Sequence, residues 1–262
     1  MNFVVLTIFP EMFRSFLNYG IIRRAIEQGQ ISAEAVNLRD FALDRHSMTD
    51  DRPYGGGCGM VMKPEPLAGA IRSIQDRLPG AGTVLLSPQG RPFDQVLAEQ
   101  MAGFESMVLV CGRYEGVDER ICQNQIDYEV SIGDVVLTGG ELPAMMIIEA
   151  ITRLIPGVLG GHDSAEKESF TDGLLEHAHY TRPGCFEGES VPDVLLSGNH
   201  RNIESWRLEN AVIRTFLKRP DLLKNRSLKP IEVEILKKWQ RDLADLIEAQ
   251  SLCRPGSSSG GQ

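Results

Sequence analysis

Three glycine-bearing corners hold the residues in this sequence best suited to grip a small ligand: Ser87-Pro88-Gln89-Gly90, Cys111-Gly112-Arg113-Tyr114-Glu115-Gly116 and Thr138-Gly139-Gly140-Glu141-Leu142-Pro143. Each follows an apolar run. Neither G-x-G-x-x-G nor G-x-x-x-x-G-K-[ST] occurs. Glu115, Asp118 and Glu119 open the stretch after the second corner, where a helix dipole favours acids and a bound phosphate would be repelled. Capping alone accounts for these acids but leaves Gly112 and Gly116 unexplained. Backbone groups at such corners suit a neutral or cationic ligand. S-adenosylmethionine has that chemistry: no phosphate, an adenine that bonds main-chain N–H and C=O, and a positive sulfonium.

Other segments hold further candidates. Asp50–Met60, DDRPYGGGCGM, places four glycines in five positions, which gives up side-chain packing and adds unfolded-state entropy. It is either a surface loop or a lid that lets backbone approach a flat ligand. Arg153 closes an apolar helical pattern just before Pro156, where a cation complements the helix C-terminus. Asp163, Glu166, Glu168 and Asp172 follow it, and at most one of these is expected to act as a base. Glu176-His177-Ala178-His179-Tyr180-Thr181-Arg182-Pro183 invites a metal reading through Glu176, His177 and His179. It lacks the further ligands of a structural zinc site, so His179 and Tyr180 are read as packing or polar contacts and no metal ligand is assigned.

The elements that must position these groups follow from the apolar pattern. Phe3–Phe9, Thr83–Ser87, Met107–Gly112 and Asp134–Gly139 read as buried strands of a parallel sheet covered on both faces. Helical patterns lie near Glu11–Gln28, Glu65–Leu78, Phe93–Gly103, Glu115–Asn124 and Leu142–Ile155, giving an α/β layer fold. Ligands in such sheets sit outside the carboxyl ends of the strands, where the three corners fall. The pattern fades from Pro156 to about Glu176, a linker rich in Gly, Ser and charge. Two amphipathic helices, about Asn199–Leu217 and Ile231–Ala249, make a small all-α second domain. The tail Arg254–Gln262 is Ser/Gly-rich, and disorder is expected there.

Composition sets bounds. The 262 residues carry 27 Lys+Arg and 36 Asp+Glu, net −9, which argues against nucleic acid until its distribution is considered. Residues 199–229 hold eight basic residues against three acidic ones, a local basic face able to meet phosphates or a solvated helix surface. Five scattered cysteines without C-x-x-C suit a reducing, cytoplasmic setting, and no apolar run approaches a membrane span.

Seven motifs in one order, DDRPYGGGCGM, LSPQG, CGRYEGVDER, SIGDVVLTGGELPAM, PGVLGG, ESFTDGLLEHAHYTRP and VLLSGNH…WR, resemble the bacterial tRNA (guanine-N1-)-methyltransferases, the TrmD family of the SPOUT superfamily. The resemblance spans roughly Met1–Ala249. It implies a SPOUT-type parallel sheet with a deep trefoil knot over 1–160 that binds the donor and carries catalysis. A flexible linker over 161–176, a helical tRNA-binding domain over 177–250 and a tail over 251–262 would follow. It implies a homodimer with each active site shared between subunits. The reaction would move a methyl group from S-adenosylmethionine to N1 of the guanosine 3′ of the anticodon, nucleotide 37, in a tRNA. Mg²⁺ dependence comes with the resemblance, without a nominated ligand.

Residue by residue, the resemblance places donor contacts at Leu86, Ser87 and Pro88, at Gly112, Tyr114, Glu115 and Gly116, and at Ile132, Gly133, Leu137, Gly139, Gly140 and Pro143. At Gly139 and Gly140 the missing Cβ would admit the adenosine. Its cation maps onto Arg153. Its general base is the aspartate of a D-S-F triplet, which here reads Glu168-Ser169-Phe170. The extra methylene moves the carboxylate by about 1 Å, a displacement able to cost on the order of a hundredfold; Asp172 is the fallback base. Where the family has Asp-Cys-Pro before His-Tyr, this chain has Glu176-His177-Ala178. His46, Asp50, Arg52 and Gly57, with Ser169, His179 and Tyr180, map near the target guanine, and Arg201, Arg207 and Arg214 onto tRNA phosphate contacts. A SPOUT enzyme with another RNA target and an RNA-binding protein that lost catalysis are the competing readings.

Overall fold

The computed structural model describes residues 1–160 and 168–252. Asp163 and Glu166, the first part of the expected linker, and the Ser/Gly tail lie outside the described residues. The chain divides into two compact units, Met1–Ala165 and Glu166–Gln262.

The first unit is a three-layer α/β arrangement. In chain order it runs β1 (Asn2–Thr7), α1 (Met12–Leu17), α2 (Gly20–Glu27), β2 (Ser32–Asn37), β3 (Asp50–Asp51), β4 (Val61–Met62), α3 (Pro64–Arg77), β5 (Gly82–Pro92), α4 (Gln95–Ala102), β6 (Ser106–Cys111), α5 (Glu119–Gln125), β7 (Tyr128–Ser131) and α6 (Glu141–Leu154). A turn of 3₁₀ helix at Leu38–Phe41 follows β2. Five strands form one sheet in the order β2-β1-β6-β5-β7, every neighbouring pair parallel. The near-continuous apolar strands have the expected cause: both faces are covered. Phe3, Val5, Met107 and Leu109 point into one layer with Phe13, Ile22, Met101 and Ile147. Val4, Leu6, Val108 and Val110 point into the other with Leu67, Ile71 and Ile121. All six residues of β6 are buried.

Three expectations change. The last strand is Tyr128–Ser131, and Asp134–Gly139 is a loop with Val136 89 % exposed. Its β-branched run has no facing layer within the chain, so burial does not draw it into the sheet. The pattern over Glu11–Gln28 resolves into α1 and α2, because Tyr19 is extended (φ −133°, ψ 160°). The helix expected from Glu115 begins at Glu119, with the Asp118 carboxylate accepting from Arg120 N as its cap. The edge strand β2, small and polar in sequence, carried no strand signal.

The second unit contains a short hairpin, β8 (Cys185–Phe186) with β9 (Glu189–Ser190), and α7 (Asp193–Leu196), α8 (His200–Lys218), α9 (Pro220–Lys224) and α10 (Pro230–Leu252). Leu174, Ala211, Val212 and Leu223 form its small core. Among the described residues no helix is long and apolar enough to cross a membrane.

Candidate functional site

The carboxyl ends of β5, β6 and β7 open onto one cleft. Leu86, Ser87 and Pro88 line it from β5, where the strand bulges so that both Leu86 and Arg91 pair with Val130. Gly112, Tyr114, Glu115 and Gly116 line it after β6, and Ile132, Leu137, Gly139, Gly140 and Pro143 line it after β7. Gly133, at φ +131° in the same turn, does not line it. Tyr114 is held at φ +61° and stands half out of the surface. Three corners far apart in sequence therefore meet because parallel strands bring their carboxyl ends to one edge of the sheet.

Beneath the cleft is a buried ion pair. The Glu141 side chain is 1 % exposed and Arg113 17 %. Arg113 Nη2 donates to Glu141 Oε2 at 2.9 Å, Nε lies 3.1 Å from each carboxylate oxygen, and Thr7 Oγ1 donates to Oε1 at 2.7 Å. The guanidinium lies 4.4 Å from the centre of the Phe9 ring, within cation–π reach. This pair ties β1, the corner after β6 and the start of α6 together. The pair accounts for Gly139 from inside the protein, and the backbone of the second corner accounts for Gly140. A Cβ on Gly139 would come within 2.4 Å of Arg113 Nε and Glu141 Oε2, and one on Gly140 within 2.8 Å of Cys111 Cα. Burial, with the Glu141 charge adding to it, pushes the Cys111 thiol well above its usual range. On the opposite face of the sheet Cys122 is pushed up to about 11, again mainly by burial.

The glycine-rich segment is the loop of the β3–β4 hairpin, paired Asp50 to Met62 and Asp51 to Val61. It leans on the second corner: Glu115 N donates to Met60 O at 3.0 Å, Met62 N to Gly116 O at 3.0 Å, and Asp118 N to Met62 O at 3.1 Å. Gly59, at φ +89°, lies so close to the Glu115 side chain that a Cβ would sit 2.2 Å from its Oε1. Arg52 and Gly57 are exposed in the loop, Asp50 is half-buried at its base, and His46 is exposed just before it. The Asp44 carboxylate shapes that approach. It accepts from His46 N at 2.8 Å, and this bond holds it below the usual carboxylate range.

Arg153 is half-buried in the last turn of α6. Glu168 and Ser169 are half-buried in the second unit. The stretch from Glu168 to Glu176, expected as linker, is fastened to the helices of its own unit. Glu176 N donates to Ser169 Oγ at 3.0 Å and Leu175 N to Thr215 Oγ1 at 2.9 Å. Lys229 Nζ meets Asp172 Oδ2 at 2.9 Å. Arg226 holds the Asp172 carbonyl and the Glu232 carboxylate, which is 1 % exposed. Asp172, the fallback base, is thus engaged by a lysine. Within the basic stretch Arg207 pairs with Glu204 and Arg219 with Asp221, and acids from outside it engage two further cations, Glu232 with Arg226 and Asp172 with Lys229. Arg201 is exposed and makes no ion pair among the described residues, and Arg214 is half-buried. His179 Nε2 lies 2.9 Å from Glu176 Oε1, and the Tyr180 ring is 6.2 Å from that of Trp206.

Residues 1–225 match the family model described as tRNA (Guanine-1)-methyltransferase TrmD. The chain belongs to the TrmD family. A relative from Desulfatibacillum aliphaticivorans, named tRNA (guanine-N(1)-)-methyltransferase, is 54 % identical over 99 % of this chain and 99 % of its own. One of the same name from Methylococcus capsulatus is 52 % identical over 92 % of this chain and 97 % of its own. The solved structure described as tRNA (m1G37) methyltransferase from Aquifex aeolicus superposes with a TM-score of 0.70 at 38 % identity, covering 86 % of this chain and 95 % of that one. The TrmD fold, a parallel sheet with a helical C-terminal part, is the one described above, and the knot implied by the resemblance fits this neighbour.

The sequence reading missed Arg113 and Glu141 as a unit. Both stood inside quoted motifs, yet a salt bridge across 28 residues leaves no periodic trace. The only signal was an acid at the first position of an apolar helix.

Proposed function

We propose that this chain transfers a methyl group from S-adenosylmethionine to N1 of the guanosine 3′ of the anticodon, nucleotide 37, in a tRNA. The observation that carries the reading is the convergence of three glycine corners on one cleft in a TrmD-family chain. The walls fit such a donor on structural grounds. Their charged side chains are Glu115, Glu119 and Glu129, which disfavour phosphate, against one cation, Arg113, that is already paired with Glu141. Bound there, the donor supplies an electrophilic methyl group on a cationic sulfur.

The work of this chain is to make the guanine nitrogen nucleophilic. N1 of neutral guanine carries a proton, and its lone pair is delocalised. Glu168 takes that proton as general base, a role that contributes roughly 10²–10⁴-fold. Arg153 stabilises the negative charge that develops on O6. The guanine has to leave its stack to be reached, and His46, Asp50, Arg52, Gly57, Ser169, His179 and Tyr180 receive it. Arg201, Arg207 and Arg214 contact tRNA phosphates. The active form is a homodimer with each site shared between subunits. In support, Val136 on the cleft loop, and Leu142 and Met146 one turn apart on α6, are exposed apolar groups. The enzyme works in the cytoplasm with Mg²⁺, for which no residue is assigned.

A single-turnover assay with transcribed tRNA tests this. Methyl transfer is expected with G 3′ of the anticodon and none with A there. Transfer to both would indicate another RNA target, and donor binding without transfer an RNA-binding protein that lost catalysis. Glu168→Gln is expected to remove turnover while donor affinity stays within about twofold; retained turnover would move the base elsewhere.

A further inference from the structure

The strongest unassigned cluster lies in the second unit, at Glu176, His177 and His179. We propose that Glu176, His177 and His179 form a binding site for a transition-metal ion of the zinc type, so that an ion bound there takes up the His179 nitrogen and competes with the contact to guanine proposed above. One ligand atom from each lies within 4.8 Å of the other two. Around a tetrahedral ion with bonds of 2.0–2.2 Å, neighbouring ligand atoms are about 3.4 Å apart. The site therefore closes by side-chain rotations of about 1.4 Å or less. His179 Nε2 and Glu176 Oε1 are already 2.9 Å apart.

The surroundings prepare the ligands. His177 Nδ1 lies 3.1 Å from the Ala178 carbonyl oxygen. That oxygen only accepts, so the proton sits on Nδ1 and Nε2 keeps its lone pair for a metal. A ring N–H bonded to a carbonyl is the usual support for a metal-binding imidazole. Ala178 N, between the two histidines, donates to Asn210 Oδ1 at 2.7 Å, and Glu176 N to Ser169 Oγ at 3.0 Å. The His177 ring packs 4.5 Å from that of His179 and 6.2 Å from that of Trp206. Trp206 and Asn210, four residues apart on α8, present one face to the segment. The backbone and the His177 ring are thus held before any ion arrives, and the Nε2 proton of His179 that bridges to Glu176 leaves when an ion binds.

The donor set selects the ion. Two imidazoles and one carboxylate suit Zn²⁺, Ni²⁺ or Cu²⁺, whereas Mg²⁺ and Ca²⁺ prefer oxygen ligands. The site is therefore separate from the Mg²⁺ requirement that the family resemblance implies. Three protein ligands leave a coordination position for water.

The test uses the purified full-length chain with Zn²⁺ titrated calorimetrically and Co²⁺ as an optical probe. One equivalent is expected to bind, with visible ligand-field bands and no thiolate charge-transfer band, and affinity is expected to fall at least tenfold in His177→Ala and in Glu176→Gln. If either variant fails to fold, Zn²⁺ titration of the unaltered chain by NMR decides: the ring signals of His177 and His179 are expected to shift together. Absence of saturable binding, unchanged affinity in a folded His177→Ala, ring signals that stay put, or a charge-transfer band from Cys58 or Cys185 would each overturn the proposal.

Discussion

Glu141, 1 % exposed at the start of α6, accepts hydrogen bonds from both Arg113 and Thr7, so one carboxylate joins the first strand to two of the three corners that make the cleft. Removing one partner of such a pair leaves a buried charge, whereas replacing both by apolar groups of similar volume costs far less. Glu141→Ala is therefore expected to lower stability by about 3–5 kcal/mol in urea unfolding. The double variant Arg113→Met/Glu141→Leu should unfold at a higher midpoint than Glu141→Ala. Equal midpoints would show that the pair does not hold the cleft.

At Gly140 the limit is backbone. A Cβ would meet Cys111 Cα at 2.8 Å and Leu86 Cβ at 3.0 Å, and neither can swing away. Gly140→Ala is expected to cost about 1–3 kcal/mol as overpacking. Because the strain falls where the corners meet, S-adenosylmethionine affinity should drop at least tenfold by calorimetry while far-UV circular dichroism is retained. Unchanged affinity would remove the third corner from the donor site.

Arg226 clasps the turn that follows Glu168, through the Asp172 carbonyl and the buried Glu232 carboxylate. Arg226→Ala should loosen that turn and leave Glu232 buried without its partner. Methyl transfer is expected to fall at least tenfold while donor affinity stays within about twofold, since the cleft belongs to the first unit. A parallel loss of both would mean that the substitution unfolds more than the turn.

Cys111 and Cys122 set an alkaline limit. Their thiol pKa values are raised in the folded state, Cys122 to about 11. Above the unfolded thiol value of about 8.5 the unfolded chain loses these protons and the folded chain keeps them, so stability falls as pH rises through this window and is unaffected below it. Urea midpoints from pH 7 to 10.5 should decline, and Cys122→Ala should flatten the decline. At pH 7.5 iodoacetamide should label exposed Cys58 and Cys185 well before Cys111 and Cys122. Early labelling of Cys111 would contradict its burial.

Sequence alone determined much of this protein. Continuous apolar runs such as Met107–Cys111 announced a sheet buried on both faces, because such a strand has no polar side to offer water. The glycine corners were legible because glycine is tolerated at low cost only where backbone is crowded or left-handed. The amphipathic pattern of α8 announced a separate helical unit, and the ordered motifs announced the family. Tertiary structure decided the rest. It left Asp134–Gly139 as an exposed loop and made Tyr128–Ser131 the strand, because pairing with β5, not propensity, selects a strand. It joined Arg113 to Glu141 and gave Gly139 and Gly140 their reason inside the protein. It paired Arg226 and Lys229 of the basic stretch with Glu232 and Asp172 from outside it, which no count of charges within the stretch contains. Periodicity reports which face of an element is buried; partners across long sequence separations are chosen by packing, and they become visible only when the chain is folded.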